Sequence, residues 1–151
     1  MRLTQSVSRN VGFNLLVFLL VLLVSFGLGA GKKKKHVVVS DRLLAAICQV
    51  ESGCNPDVKD GDNGKAKGMY QIWESFHTDA LEFDPSIGGC YEDVKDKEYA
   101  EKVIRAYMQR YAPNNATDEQ IARIHNSGPR ALTKKRIRLT DEYWAKVKQH
   151  L

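Results

Sequence analysis

CQVESGCNP, residues 48–56, closes one apolar run and opens a turn. Ahead of it, Ser40 fits a helix N-cap, and Leu43, Leu44, Ile47 and Cys48 recur at helical spacing. Behind it, Gly53 and Pro56 end the helix. Glu51 therefore lies in the last turn, four residues after Ile47 and three after Cys48, on or beside the apolar face. Three effects raise the pKa of an acid so placed. Burial beside the apolar face disfavours the charged form, and a second carboxylate nearby adds repulsion. The helix C-terminus presents partial negative charge. A carboxyl still protonated near neutral pH is what a general acid requires. The bland alternative is an acid that simply ends a helix in water.

The residues that follow weigh against the bland alternative. Asp57 to Lys67 is polar and rich in turn formers, and Asp60-Gly61 and Asn63-Gly64 are hairpin signals, so a small β-hairpin or an ordered loop fits. This segment carries Asp57, Asp60 and Asp62. A glycosidase needs one acid for the leaving oxygen and one carboxylate for the sugar cation or the water. An acid at a helix end facing a carboxylate on a hairpin supplies both, with a groove between them.

Further along, GMYQIW (68–73) opens a second helical stretch running to about Leu81. Residues from about Glu92 to Ala112 form the clearest helix, with Ala100, Val103, Ile104, Tyr107, Met108 and Tyr111 on one stripe. Pro113 and Asn114 stop it. Thr117 with Gln120 reads as a capping box for a helix through Ile121 and Ile124, which Gly128 and Pro129 end. Thr140 caps a last helix with Tyr143, Trp144, Val147 and Leu151 on one side. The aromatic stripes read as core rather than as a cofactor box. The fold class is α+β, mainly α, with one small β element.

The 151 residues suit one domain able to bury a core. Residues 1–30 stand apart: Arg2 and Arg9 precede the apolar run Val11 to Leu28, and Gly29, Ala30 and Gly31 are small. That is the layout of a secretory signal cut near Ala30. The rival is a membrane anchor, with Lys32–Lys35 on the cytoplasmic side. Residues 31–39 read as a basic linker and 40–151 as the domain. Losing residues 1–30 removes two arginines and no acid, and takes the net charge from +5 to +3. Much of the excess lies in Lys32–Lys35 and in Arg130, Lys134, Lys135, Arg136 and Arg138. Each cluster is either a solvated surface or an attraction to a polyanion, such as a bacterial wall, or to a membrane. No zinc spacing is present and no aromatics interleave the basic residues, which argues against a nucleic-acid partner. Three cysteines allow at most one internal bridge and leave one thiol. Asn115-Ala116-Thr117 is a glycosylation sequon that matters only on a secreted chain.

CQVESGCNP and the later GKAKGMYQI resemble the Glu-Ser-Gly and Gly-x-[Tyr/Phe]-Gln-Ile motifs of lysozyme-like muramidases and lytic transglycosylases. Three more segments narrow the resemblance to the invertebrate-type, destabilase-like lysozymes. AEKVIRAYMQRYA resembles the long helix of that family, ARIHNSGP its His-Asn-Gly-Gly-Pro segment, and YWAKV its closing helix. Each motif is weak alone; five in the right order, over about Leu43 to Lys148, are specific.

The resemblance implies a lysozyme-like helical domain with a small β-hairpin beside a catalytic groove. It implies Glu51 as the general acid and the β-1,4 bond of peptidoglycan as the target; lysozymes are themselves the usual illustration of the paired-carboxylate mechanism. The second family carboxylate, counted back from Gly68, falls on Gly61, between Asp60 and Asp62. Asp62 is preferred because GDNGKAKG resembles a loop of related bacterial proteins, and Asp60 is the second choice. Gly68, Tyr70 and Gln71 either line the sugar groove or serve helix start and packing. His125 and Asn126 are implied on the groove's far wall, where a lone His can also be structural. A short bridge between Cys48 and Cys54 is implied, with Cys90 free. The family is usually cysteine-rich, whereas this chain has three cysteines, and Ser127 stands where the third motif has a glycine.

Two classes of function stay open. One is an enzyme: a lysozyme acting by hydrolysis, or a lytic transglycosylase using Glu51 alone. The other is a non-catalytic binder of wall or glycan. The retained Glu51 favours an enzyme. No nucleophile signature supports isopeptide cleavage. The expected partner is bacterial peptidoglycan or a related amino-sugar polysaccharide, met by a secreted monomer without cofactor or metal. A membrane enters only if residues 11–28 stay uncleaved. N-terminal sequencing of the mature protein should therefore begin close to Gly31, and recovery of the full chain from membranes would contradict secretion.

Overall fold

The computed structural model describes residues 35–151. The signal or anchor read over residues 1–30 lies outside the described residues. Residues 35–39, read from sequence as linker, are held against the domain. Val37 and Val39 are buried while Val38 is exposed, the alternation of an extended segment with one face inward. Lys35 Nζ donates to the Arg110 carbonyl at 3.2 Å, Gln109 Nε2 to the Val37 carbonyl at 2.7 Å, and Arg105 to the Val39 carbonyl. The apolar face of a Val-Val-Val run is what converts the expected tether into a clasp.

Helix α1, Asp41–Ser52, starts where Ser40 Oγ accepts from the Leu43 amide at 3.1 Å. It buries Leu43, Leu44, Ala46, Ile47 and Cys48 and stops at Gly53, whose φ of 65° is left-handed. Strands β1, Ala66–Lys67, and β2, Ile72–Trp73, pair antiparallel with Ala66 opposite Trp73 and Lys67 opposite Ile72. Helix α2 follows at Glu74–Phe83, α3 at Lys97–Tyr111, α4 at Asp118–Ser127 and α5 at Asp141–Lys148. Helix α3 is the spine: Ala100, Val103, Ile104, Ala106, Tyr107 and Met108 are buried on one stripe. Helix α2 packs on α3, and α5 packs on α1 and α4.

Four more sequence readings shift. The hairpin lies at 66–73 rather than within 57–67; Asp62–Gly64 is a short 3₁₀ turn, and Gly61 pairs with Ala66 as an isolated bridge. GMYQIW does not open a helix. Gly68 and Gln71 have φ of 69° and 48°, which no helix accepts, so 68–71 forms the turn and Ile72–Trp73 the return strand. The stretch from Glu92 to Ala112 splits, because the Asp96 carboxylate accepts from the Tyr99 amide at 2.8 Å and starts α3 there, after a 3₁₀ turn at Tyr91–Lys95. The capping box of Thr117 and Gln120 forms as read. Thr140 precedes the last helix without capping it through its side chain; its hydroxyl donates to the Ile137 carbonyl at 2.8 Å instead.

Gly68 is the tightest point of the hairpin. A Cβ there would run into the Val94 carbonyl and lie 3.0 Å from the Lys95 Cα, on a backbone with φ of 69°. Gly68→Ala should cost about 2–4 kcal/mol, adding left-handed strain to the clash with main chain. Urea unfolding of the variant measures this, and an unchanged midpoint would contradict the packing argument.

Candidate active site

Glu51 occupies the penultimate position of α1, and the chain reverses two residues later. The Gly53 amide donates to the Gln49 carbonyl at 3.0 Å and the Cys54 amide to the Cys48 carbonyl at 3.2 Å. Cys48 and Cys54 are joined by a disulfide across a Cα separation of 5.0 Å, and Cys90 is free and exposed. Reversal and cross-link together fix the backbone that carries Glu51. The neighbouring Ser52 hydroxyl donates to the Met69 carbonyl at 2.8 Å and ties the helix end to the hairpin turn.

The Glu51 side chain is 18% exposed. Its Oε1 accepts from the Tyr143 hydroxyl at 2.7 Å, reached from α5. Burial, and next the charge of Glu51, push the Tyr143 phenol well up, so it stays a hydrogen donor. Oε2 has no hydrogen-bond partner among the described residues and is the oxygen left open. His125 comes from the last turn of α4, and its side chain is 3% exposed. Its Nε2 lies 3.1 Å from the Tyr70 carbonyl. A carbonyl only accepts, so Nε2 carries the hydrogen and Nδ1 is bare. Burial pushes His125 down, against the pull of the Glu51 charge and the Tyr70 carbonyl. His125 Nε2 and Glu51 Oε1, 3.6 Å apart, are thus a contact of a neutral ring with a carboxyl and not an ion pair.

Glu51, Asp62, Gln71, Trp73, His125 and Asn126 line one cavity of about 280 Å³. Asp62 and Asn63 have φ of 46° and 57°, a conformation that Asp and Asn tolerate better than most residues. The turn closes because Gly61 exchanges hydrogen bonds with Ala66, at 2.8 and 3.1 Å, and lacks a Cβ where the Gln71 amide sits. Gln71 in turn donates from Nε2 to the Gly68 carbonyl at 2.9 Å.

Other candidates lie elsewhere. Asp60 does not line this cavity and faces Lys95 at 3.7 Å. Gly68 is buried against Val94 and Lys95, a packing position rather than a groove wall. The Tyr70 ring is fully buried, and its hydroxyl donates to Glu101 at 2.7 Å on the side away from the cavity; only its carbonyl serves the site. Sequence reasoning passed over Tyr143 and Trp73. Tyr143 reads as part of a core stripe, and the need of a buried hydroxyl for a partner is the signal that it does more. Trp73 reads as helical from the sequence; on β2 it alternates with buried Ile72 and is 44% exposed. Among the described residues no three His, Cys, Asp or Glu side chains are grouped to hold a metal.

Residues 40–150 match the family model described as Destabilase. A lysozyme of Magallana gigas is 37% identical over 76% of this chain and 82% of its own length. Lysozyme 1 of Crassostrea virginica is 34% identical over 73% of this chain and 59% of its own length. Among solved structures, Meretrix lusoria lysozyme in complex with Aeromonas hydrophila PliI superposes with a TM-score of 0.60 at 31% identity, covering 74% of this chain and 89% of that one. Tapes japonica lysozyme gives 0.58 at 28% identity, over 73% and 89%. These likenesses accord with the helical fold and its small hairpin.

The buried neutral His125 sets a pH dependence of stability. Below about pH 6.5 the unfolded chain binds a proton that the buried ring resists. This contribution is present above that pH and is lost as pH falls toward the depressed folded value. The free energy of urea unfolding should therefore drop between pH 7.5 and 5, and drop less in His125→Gln. Part of the slope should remain, because burial also pushes His77 down. Equal slopes for both proteins would exclude a buried neutral His125.

Proposed function

The chain belongs to the Destabilase family and is a glycoside hydrolase of lysozyme type; from that premise we propose that it hydrolyses the β-1,4 bonds of bacterial peptidoglycan, with Glu51 as general acid and Asp62 as the second carboxylate. One observation carries the reading. Glu51 has one oxygen held by Tyr143 at 2.7 Å and the other open toward a cavity that Asp62 also lines.

In this mechanism the sugar chain lies along the cavity with the glycosidic oxygen against Glu51 Oε2. Tyr143 fixes the carboxyl plane through Oε1, so the proton is delivered from Oε2. As the bond breaks, positive charge grows on the sugar ring, and the Asp62 carboxylate either meets that charge or activates the water. Where Asp62 meets the charge, Glu51, now ionised, takes its proton back from the incoming water; where Asp62 activates the water, Asp62 takes that proton and both carboxyls return to their starting states through solvent. Gln71 and Asn126 offer amides to sugar hydroxyls, and the Trp73 ring offers a face to a pyranose. Secretion fits a wall substrate.

Glu51→Gln should lower the rate of wall lysis about 10²–10⁴-fold, since an amide cannot supply the proton. Asp62→Asn should be comparably severe. Asp60→Asn should stay within a few-fold, because Asp60 pairs only with the half-exposed Lys95. Each variant is first checked for native circular dichroism, and the fragment ends are analysed. Reducing ends support hydrolysis; anhydro ends would establish transglycosylation instead. Full activity in Glu51→Gln would overturn the assignment altogether.

A further inference from the structure

A second cavity of about 370 Å³ adjoins the first and shares Gln71, Trp73, His125 and Asn126 with it. Its outer wall includes Arg136, from the basic turn after α4, and Phe76 and Tyr107 also line it, their rings stacked 3.5 Å apart. Four arginines among the described residues are buried or half-buried: Arg105, Arg110, Arg123 and Arg136. The first three each have a carboxylate partner: Asp41 at 2.5 Å, Glu82 at 2.9 Å and Asp141 at 2.8 Å. Arg136 has none among the described residues. Its side chain makes one long hydrogen bond, Nη1 to the Ser127 carbonyl at 3.4 Å.

A half-buried guanidinium without a counter-charge carries a desolvation cost that an anion would offset. The planar fork of Arg suits a carboxylate, two parallel N–H groups to two oxygens. Its neighbour in the cavity, His125, is neutral and does not compete for an anion. Lys134, Lys135 and Arg138 of the same cluster are exposed and do not line the cavity. Arg136 is therefore set apart by position, and its place beside Trp73 lies along the line a sugar chain would follow out of the catalytic cavity. Wall glycan carries carboxylates there, on the lactyl ether or on the attached peptide, whereas a chain of N-acetylglucosamine alone carries none.

Resting on the proposed wall-glycan reading, we infer that Arg136 is a specificity-determining residue that receives a substrate carboxylate beside the cleaved bond and favours anionic wall glycan over neutral chitin oligomers. The test is kcat/KM on three substrates: intact peptidoglycan strands, strands stripped of peptide so that only the lactyl carboxylate remains, and chitin oligomers. The measured quantity is the ratio of anionic to neutral substrate. Arg136→Ala should lower that ratio about tenfold, the scale of one partly exposed charge-assisted contact, through KM more than kcat. Arg136→Lys should restore part of it, and Lys134→Ala should leave it unchanged. A fall on both anionic substrates identifies the lactyl carboxylate; a fall on intact strands alone identifies a peptide carboxylate. A ratio unchanged in Arg136→Ala while wild type still cleaves walls would overturn the inference and leave the glycosidase reading standing. Wild type that cleaves none of the three substrates would overturn both.

Discussion

In the turn between β1 and β2, the Gly68 carbonyl accepts from the Gln71 side chain at 2.9 Å, the Met69 carbonyl from Ser52 at 2.8 Å, and the Tyr70 carbonyl from His125 at 3.1 Å. Buried carbonyls need partners, and these three consecutive ones find theirs in the turn itself, in α1 and in α4. The divergence follows from the left-handed conformations of Gly68 and Gln71, which point successive peptide groups in different directions. Below the turn, the fully buried Tyr70 ring reaches Glu101 on α3 and fixes the turn's height. The ends of two helices are thus referred to three residues of main chain. Glu51 stands beside Ser52, and His125 is itself one of the ties. The spacing across the cavity is set by backbone, which moves less than long side chains do.

Glu51 is surrounded by neutral donors rather than by a counter-charge. Tyr143 stays protonated and His125 stays uncharged for one reason, burial, although burial pushes the phenol up and the imidazole down. A fixed cation in either place would oppose the proton transfer proposed for this site. The position of Tyr143 depends in turn on Arg123. That guanidinium reaches Glu119 at 2.7 Å, Asp141 at 2.8 Å, the Thr140 hydroxyl at 2.7 Å and the Ile137 carbonyl at 2.6 Å. A buried charge so fully bonded is a fastener whose removal of any one partner is felt. It pins the start of α5 to α4, and Tyr143 follows two residues after Asp141.

The helices were legible because their signals are local. The apolar stripes of α1, α3 and α4, the Ser40 cap and the Thr117–Gln120 box all depend on residues within one or two turns. The hairpin was misplaced because the Asn63-Gly64 signal is real but closes only a 3₁₀ turn, while GMYQ carries no standard hairpin pair. Its turn is instead imposed by Gly68 meeting Val94 and Lys95, a contact across about 26 positions that no local rule contains. At the site, Glu51 was readable from its place on a helix face, and Asp62 only through likeness to a loop. The separation of Asp60 from Asp62 needed the position of Lys95. Tyr143 lies 92 residues from Glu51, so its role was outside any spacing argument.

The distribution of cysteines follows the same division between core and rim. A domain of this length buries enough apolar side chain to fold without dense cross-links, and here the clasp of Val37 and Val39 and the stripe of α3 supply that burial. A core does not steady a helix end at the rim of a groove. The last carbonyls of a helix lack intrahelical partners and fray first. Around Glu51 the Gln49 and Cys48 carbonyls are taken up by the Gly53 and Cys54 amides, and the bridge to Cys48 closes the same turn. The cross-link thus ties the turn at Cys54 back to the buried Cys48, and Glu51 lies on the stretch it closes.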